Sequence, residues 1–95
     1  MTLEKLYNII ISRKKTMLEG SYVASLFRDG DDQIIQKVGE EAVEVVIAAK
    51  NENRERLISE IADLTFHTLV LLAAKNIKLP EILTDLEKRH SLKNK

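Results

Sequence analysis

Two long runs of helical periodicity separated by a short polar turn leave this chain few ways to fold. DDQIIQKVGEEAVEVVIAAK (31–50) and the stretch from about Arg54 to Lys75 flank the tetrapeptide NENR. At 100° per residue, Ile34, Val38, Ala42, Val45 and Ala49 form one continuous stripe on the first helix. The second is apolar over most of its circumference, with Ile61, Leu69 and Leu72, like Val45, expected in the core. Helices joined this closely pack antiparallel as a hairpin. A helix apolar all round must be buried on all sides, and the rest of a 95-residue chain is too small to cover it. The expected fold is all-α: a helical-hairpin protomer forming a four-helix-bundle-like core in a homodimer.

Shorter helices complete the chain. Leu3, Leu6, Tyr7, Ile10 and Ile11 predict an amphipathic helix over 2–15, broken by MLEGS with Gly20 as the interruption. Ser21 is placed to cap a short segment through Phe27, and Gly30 supplies a turn. Asp31 or Asp32 is the expected cap of the long helix that follows. Pro80 suits the first turn of a last helix ending near His90. Residues 1–90 are expected to form a single domain, and the tail 91–95, SLKNK, to fray. Gly39 costs its helix about 1 kcal/mol relative to alanine, for which close helix packing is the expected reason.

Composition excludes several classes of function. Fifteen basic residues balance fifteen acidic ones, so no net field points to nucleic acid or to a membrane surface. The absence of cysteine removes disulfides, thiolate metal sites and cysteine nucleophiles. MTLEKLYNIIISRKK lacks the layout of a secretory signal. The longest near-apolar stretch, 61–74, is interrupted by Asp63 and His67 and is short for a bilayer. These features predict a cytoplasmic protein.

The acidic residues of the hairpin carry the chemistry. Lys37, Glu41 and Glu44 share a strip of roughly 60° beside the apolar stripe, with Glu40 at its outer edge. Glu60, Asp63 and His67 share a similar face on the next helix. When the hairpin closes, one acidic strip can face the other. Four converging carboxylates repel one another without matching cations, and a hard divalent cation relieves that repulsion through oxygen ligands. Such ligands disfavour structural zinc but do not separate Mg²⁺ from Mn²⁺. A solvated acidic face is the alternative. Lys37 is a candidate for neutralising phosphate charge or for a plain i, i+4 pair with Glu41. His67 is a candidate for substrate contact, for support of the carboxylates, or for a satisfied core histidine.

SYVASLF (21–27), GDDQIIQKVGEEAVEVVIAAK (30–50), ISEIADLTFHTLVLLA (58–73) and LEKRH (86–90) together resemble the phosphoribosyl-ATP pyrophosphohydrolase family. This is a branch of the all-α nucleotide pyrophosphohydrolases acting at the second step of histidine biosynthesis. The resemblance runs from about Leu6 to Arg89. It implies Mg²⁺-dependent hydrolysis of 1-(5-phosphoribosyl)-ATP to 1-(5-phosphoribosyl)-AMP and pyrophosphate, and a homodimer. By position, Glu41, Glu44, Glu60 and Asp63 match the family's metal-binding carboxylates. Glu40, Glu41 and Glu44 are the implied catalytic residues, with Glu40 a further ligand or an orienter of the attacking water. Arg13, Lys14, Ser21 and Tyr22 are implied to bind phosphoribosyl and triphosphate groups, with Lys37 and His67 as further substrate contacts. Association with the enzyme of the following step, fused to this domain in some organisms, is a further expectation.

Two other functions remain open on these residues. A house-cleaning nucleoside triphosphate pyrophosphohydrolase would share the carboxylates but does not require SYVASLF or LEKRH. A non-catalytic helical dimerisation module would carry the carboxylates only as surface, and magnesium would neither bind nor stabilise it.

Overall fold

The computed structural model describes residues 1–90, and the tail expected to fray lies outside the described residues. Five helices follow in order: α1 Leu3–Thr16, α2 Tyr22–Asp29, α3 Asp31–Lys50, α4 Arg54–Ala74 and α5 Leu79–His90. No strand occurs among the described residues. The all-α expectation holds, with helix boundaries close to those read from periodicity.

α3 and α4 form the hairpin. Two cross-helix ion pairs mark its antiparallel register, Arg56 with Glu44 at 3.0 Å near the turn and Lys75 with Asp31 at 3.1 Å at the open end. Asn53 starts α4 by accepting the Arg56 amide at its side-chain oxygen, 3.0 Å away, which satisfies one of the free amides of the first turn.

The cap of α3 differs from expectation. Gly30 is the N-cap, at φ 97° and ψ 169°, and no side chain caps the helix. Asp31 and Asp32 lie in its first turn, where negative charge complements the helix dipole. The end of α1 differs too. Met17 closes it in the left-handed region, its amide bonded to the Arg13 carbonyl at 2.9 Å, ahead of Gly20.

α4 ends in a Schellman arrangement. Ile77 donates to the Leu72 carbonyl at 2.9 Å and Asn76 to that of Ala73 at 3.2 Å, with Asn76 at φ 58°. α1 grips this end: the Tyr7 hydroxyl donates to the Ile77 carbonyl at 2.6 Å, and the Lys14 ammonium to Ala73 at 2.8 Å. At the start of α5, Glu81 reaches back to accept the Lys78 amide at 2.7 Å, half of a capping box.

The core lies at the open end of the hairpin. Tyr7, Ile10, Leu26, Ile34, Leu69, Val70, Leu72 and Ala73 form it, supplied by α1 to α4. The half nearer the turn is uncovered. Val43 and Val46 on α3 and Ile58 on α4 are each more than half exposed. Ile61, expected in the core, is 45% exposed, because no other helix of the chain reaches that face. Gly39 is exposed as well, and a Cβ there would meet nothing within 4 Å. Close packing within the chain is therefore not its reason. The whole of α4, 21 residues, is by length and composition long and apolar enough to cross a membrane, which the shorter 61–74 stretch did not suggest. A core helix meets the same criterion, and α4 carries Glu60, Asp63 and buried His67 along its length.

Candidate active site

The midpoint of the hairpin brings carboxylates together. One oxygen from each of Glu41, Glu60 and Asp63 can lie within 4.8 Å of the other two. The cause is register: in an antiparallel pair turning near Glu52, Glu41 of α3 stands across from the turn of α4 that carries Glu60 and Asp63. The apolar stripe holds the two helices together and thereby sets the acidic strips face to face. Glu41 is largely enclosed, its side chain 14% exposed, whereas Asp63 is exposed. Lys37 stands beside the cluster, with its ammonium 3.8 Å from Glu41. That distance makes a loose i, i+4 pair on the helix surface.

Glu44 and Glu40 are placed apart from this group. Glu44 lies one turn further along the same strip, where Arg56 holds its carboxylate at 3.0 Å. Arg56 was not singled out from the sequence, although it stands four residues before Glu60 on the same helical face. Glu40 is exposed, and its carboxylate accepts from the Gln36 amide at 3.4 Å.

His67 lies one turn beyond Asp63 and is buried. Its Nδ1 is 2.7 Å from the Asp63 carbonyl and its Nε2 is 3.1 Å from the Tyr22 hydroxyl. A carbonyl can only accept, so Nδ1 carries a hydrogen, and with that tautomer Nε2 is the nitrogen free to accept the Tyr22 O–H. Phe66, also not singled out, packs edge-on to His67 with centroids 5.2 Å apart and stacks near-parallel with Tyr22 at 6.1 Å. The hydrogen bond carries Tyr22, and with it the start of α2, to within one imidazole of the carboxylate turn.

The remaining candidates do structural work in this chain. Ser21 caps α2 by accepting the Ala24 amide at 3.2 Å. Lys14 bonds the end of α4 and lies 5.8 Å over the Phe27 ring. Ten residues separate Asp63 from Ala73, which places Lys14 about 15 Å along the helix axis from the acidic cluster. Arg13 sits in the last turn of α1 beside Lys14 and Lys15, where positive charge suits the helix dipole.

The donor set suits a hard divalent cation: three carboxylate oxygens close enough to share one ion, with the Lys37 ammonium only loosely paired to Glu41. Half-exposed Tyr22 is linked to this turn of α4 through His67, which contacts the Asp63 carbonyl.

Comparison with known proteins places this arrangement in a family. The family model described as Phosphoribosyl-ATP pyrophosphohydrolase matches residues 3–90. The chain is 56% identical over 88 residues to a phosphoribosyl-ATP pyrophosphatase of Clostridium acetobutylicum, covering 93% of this chain and 80% of the relative. A phosphoribosyl-ATP pyrophosphatase of Listeria monocytogenes is 59% identical over 87 residues, covering 92% and 84%. The same stretch is 50% identical to the histidine biosynthesis bifunctional protein HisIE of Caldanaerobacter subterraneus, of which it covers 43%. This chain belongs to the phosphoribosyl-ATP pyrophosphohydrolase family.

Proposed function

We propose that the chain hydrolyses 1-(5-phosphoribosyl)-ATP to 1-(5-phosphoribosyl)-AMP and pyrophosphate, as a hydrolase of histidine biosynthesis. The observation that carries the reading is the convergence of Glu41, Glu60 and Asp63 in a chain of this family. Water attacks the α-phosphorus, the α–β bridging bond breaks, and pyrophosphate leaves with the bonding electron pair. The water oxygen stays on the α-phosphate; one of its protons is taken by Glu40 and passed to solvent, and the second leaves to solvent from the product phosphate.

Glu41, Glu60 and Asp63 are the residues that would hold Mg²⁺ (or Mn²⁺ in its place). When bound, the ion supplies charge neutralisation for the triphosphate and acidifies water. Glu44, held by Arg56 one turn along the same strip, would be a fourth carboxylate for the ion on a change of side-chain rotamer. Glu40, exposed beside Glu41, accepts the proton of the attacking water. Lys37 offsets phosphate charge at the edge of the cluster. Arg13, Lys14, Ser21, Tyr22 and His67 line the approach for the rest of the substrate.

The uncovered half of the hairpin supports a homodimer in which two hairpins bury Val43, Val46, Ile58 and Ile61 against each other. The reading places the enzyme in the cytoplasm with its pathway. The bifunctional relative supports association with the enzyme of the following step.

The test is direct. Purified protein with phosphoribosyl-ATP and Mg²⁺ releases pyrophosphate, and the Glu41→Gln variant does not. Equal turnover of ordinary nucleoside triphosphates would instead make the protein a general nucleotide pyrophosphohydrolase.

A further inference from the structure

Tyr22 inverts the usual disposition of an exposed tyrosine. Such a side chain ordinarily keeps its polar tip in water and its ring against the protein. Here the residue is 54% exposed, yet its hydroxyl turns inward and is hydrogen-bonded to Nε2 of buried His67 at 3.1 Å. Phe66 flanks the ring on one side, near-parallel at an interplanar angle of 21° with centroids 6.1 Å apart. His67 meets both rings edge-on, at 84° to Tyr22 and 88° to Phe66. With the hydroxyl bonded to His67 and Phe66 flanking one side, the side of the ring away from Phe66 is the one left for a ligand.

That face is unique among the aromatic side chains. Of the two tyrosines and two phenylalanines, Tyr7 is in the core, Phe27 packs beneath Lys14, and Phe66 packs against the core. Exposing an aromatic face to water is unfavourable, and tying down its hydroxyl adds an entropic cost. The arrangement does give a flat apolar surface of fixed orientation. It stands one imidazole away from the Asp63 main chain, through the 2.7 Å bond of His67 Nδ1.

We propose that the outer face of Tyr22 is the platform on which the purine base of the nucleotide stacks, with His67 as the residue that positions it. A planar base loses water from both surfaces on stacking and is held without any hydrogen-bond code. The phosphates then extend toward Glu41, Glu60 and Asp63. The identity of the ligand as a nucleotide rests on the proposed hydrolase reading; the platform itself rests on the geometry of Tyr22.

Two measurements test it. In metal-free buffer, millimolar AMP should shift the Tyr22 ring proton resonances upfield by ring current and leave those of Tyr7 in place. In turnover of phosphoribosyl-ATP, Tyr22→Leu should raise KM about 5- to 150-fold, the span of base–aromatic stacking, with kcat nearly unchanged. Tyr22→Phe keeps the ring and should keep most of the affinity. His67→Leu should raise KM, and His67→Gln, which still offers an acceptor to Tyr22, should recover part of it. A Tyr22 signal unmoved by AMP, a wild-type KM in Tyr22→Leu, or dissociation of a native dimer in that variant would each overturn the platform. The AMP titration needs no hydrolysis, so an inactive protein that still shifts Tyr22 would retire the hydrolase reading alone.

Discussion

At the scale of the residue, the three carboxylates at the hairpin midpoint work against the stability of the metal-free chain. Oxygens within 4.8 Å of one another, partly shielded from water and faced by one lysine, repel. Removing one charge should therefore help the fold while harming the site. Glu60→Gln is expected to stabilise the chelated protein by on the order of 1 kcal/mol, read as a higher melting temperature. Mg²⁺ should raise the melting temperature of the wild type through linkage and that of Glu60→Gln much less. A wild type that melts identically with and without Mg²⁺ would instead fit a dimerisation module with a merely acidic surface. The helical wheel placed Glu41, Glu60 and Asp63 on facing strips because helix geometry converts spacing into direction. It could not place the Glu44 carboxylate, which depends on a rotamer and on Arg56 across the hairpin. Tyr22 was legible as a candidate from family resemblance, but its inward hydroxyl depends on a contact 45 residues away.

At the scale of the element, two glycines on the same helix should respond in opposite directions to the same substitution. Gly30 holds φ 97° and ψ 169° at the start of α3, a region that is essentially reserved for glycine. Gly30→Ala should cost on the order of 1–3 kcal/mol, measured by denaturant unfolding. Gly39 lies inside α3 with open space around its Cα, so Gly39→Ala should stabilise the helix by up to about 1 kcal/mol. A Gly39→Ala variant that weakens self-association would show that the open space belongs to the partner. The aspartates after Gly30 looked like caps by residue type, whereas the cap is decided by a backbone angle that only the glycine can adopt. The grip of α1 on the end of α4 gives a pH signature. Burial, with a smaller contribution from the charge of Glu81, raises the Tyr7 phenol above its ordinary 10.0. The stability supplied by the neutral, hydrogen-bonded phenol is complete below that ordinary value and is lost as pH rises through the higher folded one. Tyr7→Phe should cost about 1 kcal/mol near neutral pH, the worth of the bond to Ile77. The gap between variant and wild type should narrow in alkaline buffer, as unfolding followed at several pH values will reveal.

At the scale of the whole molecule, the chain is open for its length. Its radius of gyration is 14.9 Å, against roughly 12 Å for a compact domain of this length. Only 28% of the residues in the most apolar stretch of α4 are buried within the chain. The hydrophobic pattern announced this shortfall, since it demanded burial on all sides from a chain without the surface to provide it. What periodicity alone could not say is where the shortfall falls, because that depends on how α1 and α2 wrap one end of the hairpin and leave the other. Val46 at 53% and Ile58 at 56% exposure mark the uncovered half, and fully burying such a side chain stabilises by about 1.5–3 kcal/mol. Sedimentation should therefore give a dimer for the wild type, and Val46→Glu combined with Ile58→Glu should give a monomer. Neither position belongs to the acidic cluster, so the double variant separates assembly from the carboxylates themselves. Its circular dichroism should remain helical, because the core at the open end is untouched, while its melting temperature falls and pyrophosphate release is lost. A helical monomer that still turns over at the wild-type rate would show that one hairpin suffices for the chemistry, and a wild type that sediments as a monomer would remove the four-helix core altogether.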